Sequence, residues 1–253
     1  MVSLVDTHAH LDMLDGYTEF YVAQAAENGV DKIIIPSIGA ENFSVIVEIS
    51  ERFKQVYFQL GLFPSEAKEW DEEYPQIIRD FAKHPKCIGI GEIGLDYYWD
   101  KSFIDLQKDV FIEQIKLANE LSLPITVHDR EAHDDCLNIL DEYNKGSKVV
   151  FHCFSGDVEF MQKVVSRGYY IAIGGIVTFK KADVLHQVAK EVPLDKLVLE
   201  TDCPYLAPVP FRGKENQPAY VKYVAEEIAK LRGISFESIA ECTTENALKV
   251  FNI

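Results

Sequence analysis

The sequence has 253 residues, 47% hydrophobic and 26% charged, ordinary values for a globular chain and a length that one (β/α)8 barrel fills. No apolar run approaches the 18 or so residues of a membrane span, and no basic leader precedes the first apolar run, so neither a membrane nor a signal peptide is expected. A net charge of −16 argues against a surface coated for non-specific nucleic-acid binding, and five scattered cysteines without a C-x-x-C point to reduced thiols in a cytoplasm.

Apolar runs rich in β-branched residues recur at Val2–Val5, Lys32–Ile35, Val56–Leu60, Cys87–Ile90, Ile125–Val127, Val149–Phe151, Tyr169–Ile173 and Leu197–Leu199. Continuous rather than alternating apolar runs suit parallel strands buried on both faces. Their spacing, roughly 20 to 37 residues, is that of a βα unit. Between the fourth and fifth runs, Phe103, Leu106, Val110, Phe111, Ile115, Ala118 and Leu121 follow a helical period from Asp100 to Leu121, with Pro124 beyond as a stop. Near the end, Val221, Val224, Ile228 and Leu231 form another stripe, with Pro218 near its first turn and Gly233 past its end. Asp71-Glu72-Glu73 reads as a solvated helix start. The expectation is α/β, a single (β/α)8 TIM barrel over residues 1–253. The rival, a doubly wound sheet, calls for a Gly-rich loop after the first strand, where this chain has histidines.

That first strand runs into Asp6-Thr7-His8-Ala9-His10. Residues two apart on a strand face the same way, so His8 and His10 can meet one metal ion. A His-x-His arises by composition alone in roughly one such chain in six, so the pair needs partners. In a barrel of this type chemistry sits at the strands' C-terminal ends. Glu92 follows the fourth run, His128 the fifth, His152 the sixth and Asp202 the eighth. Four imidazoles and two carboxylates can hold two divalent ions: His8, His10 and Asp202 on one, His128 and His152 on the other, Glu92 bridging. Nitrogen and oxygen donors without a required thiolate allow Mg, Mn, Zn or Fe. Two such ions suit hydrolysis of a phosphate ester by a metal-held hydroxide, with Asp202 accepting the water's proton and Glu92 as the other catalytic carboxylate.

Around this centre, Arg130, Lys180, Lys181 and the stiff loop from Cys203 to Pro218, with Arg212, Lys214 and Asn216, are candidates for gripping phosphate. Gly174-Gly175 reads as turn geometry rather than a phosphate cradle. Cys153 and Cys203 each follow a proposed ligand, would face the other way on a strand, and are expected to be structural. His84, His133 and His186 are expected to be surface residues.

The motifs VDTHAHLD, GEIGLDYY, PITVHDREAHDD, FHCFSGD, IGGIVTFKKA, LETDCPYLAPVPFRGK and TTENALKVF together resemble the TatD family of metal-dependent hydrolases and deoxyribonucleases. The resemblance runs from the first strand to the last helix. It implies an amidohydrolase-type TIM barrel, metal residues at His8, His10, Glu92, His128, His152 and Asp202, and DNase activity of the 3′–5′ exonuclease kind on DNA ends or single strands. Some relatives of this type are described as deacylases of mischarged tRNA. Two departures fall in the substrate region: Phe63 stands where the family has a His in Gly-x-His-Pro, and Glu215 and Gln217 stand in RGKENQP where the family commonly reads RGKRNEP. The leading expectation is therefore a DNase. The alternatives are an ester or amide hydrolase such as a D-aminoacyl-tRNA deacylase, or a non-catalytic metal- or partner-binding protein. No membrane partner is expected, and a monomer is compatible with the sequence.

Overall fold

The apolar runs become eight parallel strands in a computed structural model that describes residues 3–14 and 16–253. Val2, expected in the first strand, lies outside the described residues. In chain order the elements are β1 (Leu4–Asp6), α1 (Thr18–Glu27), β2 (Val30–Ile35), α2 (Phe43–Arg52), β3 (Val56–Leu60), α3 (Tyr74–Phe81), β4 (Cys87–Asp96), α4 (Ile104–Leu121), β5 (Ile125–Arg130), α5 (His133–Tyr143), β6 (Val149–Phe151), α6 (Val158–Ser166), β7 (Tyr170–Ile173), α7 (Asp183–Glu191), β8 (Leu197–Leu199), α8 (Val221–Arg232) and α9 (Phe236–Phe251). Each strand pairs in parallel with the next, which makes a (β/α)8 barrel. Among the described residues no helix is long and apolar enough to cross a membrane.

The barrel is nearly closed by a seam between β1 and β8. Thr7 N donates to Leu199 O (3.0 Å), Asp202 N to His8 O (2.9 Å) and His10 N to Cys203 O (2.9 Å). The seam therefore holds His8, His10 and Asp202 side by side. β1 itself ends at Asp6, short of both histidines, and backbone bonds from Ala9 N to Ile34 O and His10 N to Cys203 O carry the chain past them.

Two strands run further than their apolar stretches. β4 reaches Asp96 and β5 reaches Arg130, because the two continue as a pair through Ile93↔Val127, Gly94↔His128 and Asp96↔Arg130. Gly94 is required here. Its φ is +144°, and a Cβ would stand 2.0 Å from the carbonyl oxygen of His128. α4 starts at Ile104 rather than Asp100, whose side chain instead accepts from Ser102 N to cap a preceding 3-10 turn. The helix ends on left-handed Ser122, two residues before the expected proline stop. α8 ends on left-handed Gly233 as its sequence foretells, and Asp71 Oδ1 accepts from Tyr74 N at the start of α3.

A cluster drawn from six strands (Val5, Ile34, Ile88, Val150, Ala172, Val198) packs with Ala247, Val250 and Phe251 of α9. Side chains two apart share a face of a strand. Glu92, His152 and Glu200 follow Ile88, Val150 and Val198 by four, two and two residues, toward the C-terminal ends of the same strands.

Candidate metal centre

Glu92 sits at the middle of the strand ends, buried to 3% exposure. Its Oε1 lies 2.7 Å from His128 Nδ1 and 2.7 Å from His152 Nε2. Its Oε2 lies 3.3 Å from His8 Nε2 and 3.8 Å from His10 Nε2. Asp202 joins the second pair, with Oδ1 3.8 Å from His8 Nε2 and 3.7 Å from His10 Nε2. One carboxylate thus divides four imidazoles into two pairs, one per oxygen. His8 stacks on His152 with centroids 4.0 Å apart, which locks both ring planes. The side chains of His128 and Asp202, 15% and 14% exposed, form the open side of an otherwise buried cluster.

The electrostatics are set by burial against close opposite charge. Burial, reinforced by the charge on His152, pushes His8 down to about 3, so its imidazole is neutral at neutral pH with a lone pair free. Burial works against the charge on Glu92, but the charge on His152, with the hydrogen bonds to His128 and His152, overcomes it and holds this carboxyl well below its usual range. Burial also disfavours a charged His152, and Glu92 outweighs it, raising the imidazole to about 10. Asp202 is raised by burial, with His152 and His10 opposing.

Two carboxylates beside the centre escape a reading based on strand-end ligands alone. Asp96 Oδ2 lies 3.0 Å from His128 Nε2, so a proton there leaves the Nδ1 lone pair facing Glu92 and its neighbours. Glu200, fully buried and raised to about 8 by burial, accepts from Cys153 N at 2.6 Å and lies 3.9 Å from His152 Nδ1. Strand alternation was a signal for Asp96, four residues from Glu92 within β4 and so on the same face, whereas Glu200 lies just past β8, where alternation gives no rule. Replacing Asp96 with Ala is expected to weaken metal affinity by about 10- to 100-fold, read by competition against a chelating dye. Unchanged affinity would show that His128 needs no outer partner.

The donor set fits divalent cations. His8 with His10 and Glu92, His8 with His152 and Glu200, and Glu92 with His128 and His152 each gather donor atoms within 4.8 Å of one another. Among the described residues the buried His8 Nδ1 and Nε2, His10 Nδ1, His152 Nδ1 and Glu200 Oε2 have no hydrogen-bond partner. Unsatisfied buried polar atoms cost about 1–3 kcal/mol each, and ligation would remove part of that cost. Backbone strain gathers here too, with Cys153 at φ 43°, Asp202 at 58° and Glu131 at 57°.

The surrounding residues divide. Arg130 lies over the Tyr98 ring at 3.9 Å and Arg212 over Phe179 at 4.4 Å, and Lys214 is exposed. Asn216 corrects the expectation of a substrate contact. It is fully buried, and Nδ2 donates to Thr201 O (2.8 Å) and Tyr205 O (2.6 Å), so it staples the loop from inside. Glu215 accepts from Tyr21 Oη at 2.6 Å. Phe63 sets its ring edge-on to His128 with centroids 4.6 Å apart, an apolar wall against a candidate ligand. Gly175 allows a close approach, since a Cβ there would meet Leu206 O at 2.1 Å. Cys203 is fully buried, whereas Cys153 lies in a turn after β6 rather than on a strand. The three remaining histidines are half-buried and tied down rather than free at the surface. His84 Nδ1 accepts from Lys86 N, His133 Nδ1 meets Asp129 Oδ2 at 2.7 Å, and His186 Nε2 meets Val177 O at 2.9 Å.

Comparison with known proteins agrees with this geometry. The family model described as TatD related DNase matches residues 5–252. The chain is 43% identical to YabD of Bacillus subtilis, covering 99% of both, and 39% identical to YcfH of Escherichia coli, covering 99% of this chain and 96% of that one. Both are described as uncharacterized metal-dependent hydrolases. The crystal structure of the TatD homologue YJJV from Escherichia coli superposes with a TM-score of 0.94 at 31% identity over the whole of both chains. A barrel with this cluster at its mouth, matched by one family from its first strand to its last helix, makes the chain a member of the TatD family of metal-dependent hydrolases.

Proposed function

We propose that the chain is a DNase that hydrolyses phosphodiester bonds at DNA ends or in single strands, in the 3′–5′ sense that its family resemblance implies. The observation that carries the reading is the division of Glu92: one oxygen on His128 and His152, the other toward His8 and His10, with Asp202 beside the latter pair. His8, His10 and Asp202 would hold one divalent ion, His128 and His152 the other, with Glu92 shared; Mg, Mn and Zn all suit these donors. Bound there, the ions supply Lewis acidity, lowering a water's pKa and offsetting charge on the phosphate.

The chain's own residues do the rest. Neutral His8 presents a nitrogen lone pair, and Asp96 orients His128 through Nε2. Asp202, on the open side, takes the attacking water's proton and returns it to the leaving oxygen. Arg130, Arg212 and Lys214 make no ion pair among the described residues, which leaves them available to an incoming phosphate.

Phe63 favours a second reading, hydrolysis of an ester or amide such as a D-aminoacyl-tRNA, since its apolar ring occupies the wall beside His128. Metal-loaded protein incubated with single-stranded DNA, double-stranded DNA and aminoacyl-tRNA separates the two. DNA cleavage abolished by chelator and by His128→Ala supports the DNase. Deacylation alone supports the second reading, and inactivity with every metal sinks both.

A further inference from the structure

The turn that leaves β4 carries two exposed aromatic side chains beside the centre. Tyr98 is 49% exposed and Trp99 69%, and their rings meet edge to face with centroids 4.9 Å apart. The guanidinium of Arg130, which closes β5 opposite Asp96, lies 3.9 Å from the Tyr98 ring and 5.4 Å from the Trp99 ring. The group is anchored to the metal cluster by one carboxylate. Asp96 Oδ1 accepts from Tyr98 N (2.9 Å) and Trp99 N (3.3 Å), while Oδ2 meets His128 Nε2 (3.0 Å).

Among the described residues Arg130 makes no ion pair: Asp100, next to Trp99, pairs with Lys68 at 3.7 Å, Glu131 with Lys101 at 3.5 Å and Asp129 with His133 at 2.7 Å. An exposed aromatic face alone suits a sugar, a peptide or a base. An unneutralised guanidinium in the same cluster, next to a phosphate-ester centre, selects a ligand with both a π-face and an anion. With a net charge of −16, general electrostatic attraction to a polyanion is unavailable, and stacking supplies affinity that does not depend on it.

We propose that Tyr98, Trp99 and Arg130 form a stacking subsite for a nucleobase of the strand whose phosphodiester reaches the metal centre. The subsite rests on the DNase reading above and extends it to the recognition of bases, without preference for their sequence. Base stacking on one aromatic ring is worth about ten-fold or more in affinity.

Full-length protein, freed of metal by chelator so that nothing is cleaved, is titrated with labelled oligothymidylate and with an abasic oligomer of equal length, following anisotropy. Trp99→Ala is expected to weaken oligothymidylate binding by about ten-fold or more, Trp99→Phe to restore most of it, and the abasic oligomer to be indifferent to both changes. The chain has two tryptophans, so in a Trp70→Phe background Trp99 emission should also be quenched by oligothymidylate and not by the abasic strand. Equal affinity for the two oligomers, or an unaltered Kd in Trp99→Ala, overturns the subsite. If Trp99-dependent binding is found but metal-loaded protein cleaves no DNA, the subsite stands and the DNase reading falls. If DNA with and without bases is cleaved alike and Trp99→Ala is silent, the reading stands and the subsite falls.

Discussion

Glu92→Gln is expected to deplete the centre of metal and to cut turnover by at least about a thousand-fold, because metal-supplied Lewis acidity and the activated water depend on the same ions. The amide keeps the shape of the side chain but removes its charge, and only one of its two terminal atoms remains a good ligand. Both carboxylate oxygens are in use in the parent, at 2.7 Å from two imidazoles on one side and 3.3 and 3.8 Å from two on the other. Among the described residues no other carboxylate reaches both pairs this closely. Elemental analysis should find about two ions per parent chain and fewer in the variant, the number following from the two-ion arrangement that phosphate-ester hydrolysis favours. Thermal melts give a second readout. Metal at a hundred times its Kd stabilises a folded chain by about 2.7 kcal/mol per site, and a chain of this size gains about 2–4 °C per kcal/mol. The parent should therefore melt several degrees higher with metal than with chelator, and Glu92→Gln should show little of that shift. A variant that kept both ions and near-parental turnover would rule out Glu92 as the bridge.

Asp202→Asn is expected to leave the fold intact and lower kcat by about 10²- to 10⁴-fold, the loss of a general base, or about 3–5 kcal/mol of transition-state stabilisation. Asparagine is the apt replacement because Asp202 has φ 58°, a left-handed conformation that asparagine adopts more readily than most residues. In the seam, Asp202 N donates to His8 O, a backbone bond that survives the change. Its carboxylate stands 3.7–3.8 Å from His8 and His10, beyond hydrogen-bond reach, so the side chain is not already committed to either ring. Kinetics should be measured at saturating metal, with content determined on the same sample. Full turnover with the metal still bound would remove Asp202 from proton transfer.

The contrast between these two residues and Asn216 marks how far a local sequence pattern reaches. Glu92 and Asp202 follow apolar runs at positions where a barrel exposes its chemistry, so a one-dimensional pattern was enough to single them out. Asn216 sits in a loop with no period, and side chains in such a loop point wherever tertiary packing sends them. Its amide turned inward, to the carbonyls of Thr201 and Tyr205. Asp96 was missed for the opposite reason. It lies on a strand, but apolar content suggested that β4 ended at Ile90, when pairing with β5 carries both strands on through their polar ends.

By itself the sequence determined the eight strands and the barrel they form, and it singled out six candidate ligands at or just past their C-terminal ends, because strand periodicity and hydrophobic runs are local properties of the chain. Only the tertiary structure decided that Glu92 is divided between two imidazole pairs, that Asp96 joins His128 to the turn bearing Tyr98 and Trp99, and that Phe63 walls His128. Apart from the local bonds of Asp96 to Tyr98 and Trp99, those relations link residues tens of positions apart through distances of a few ångströms, and such distances are fixed by strand register and closure of the barrel rather than by any neighbour in sequence.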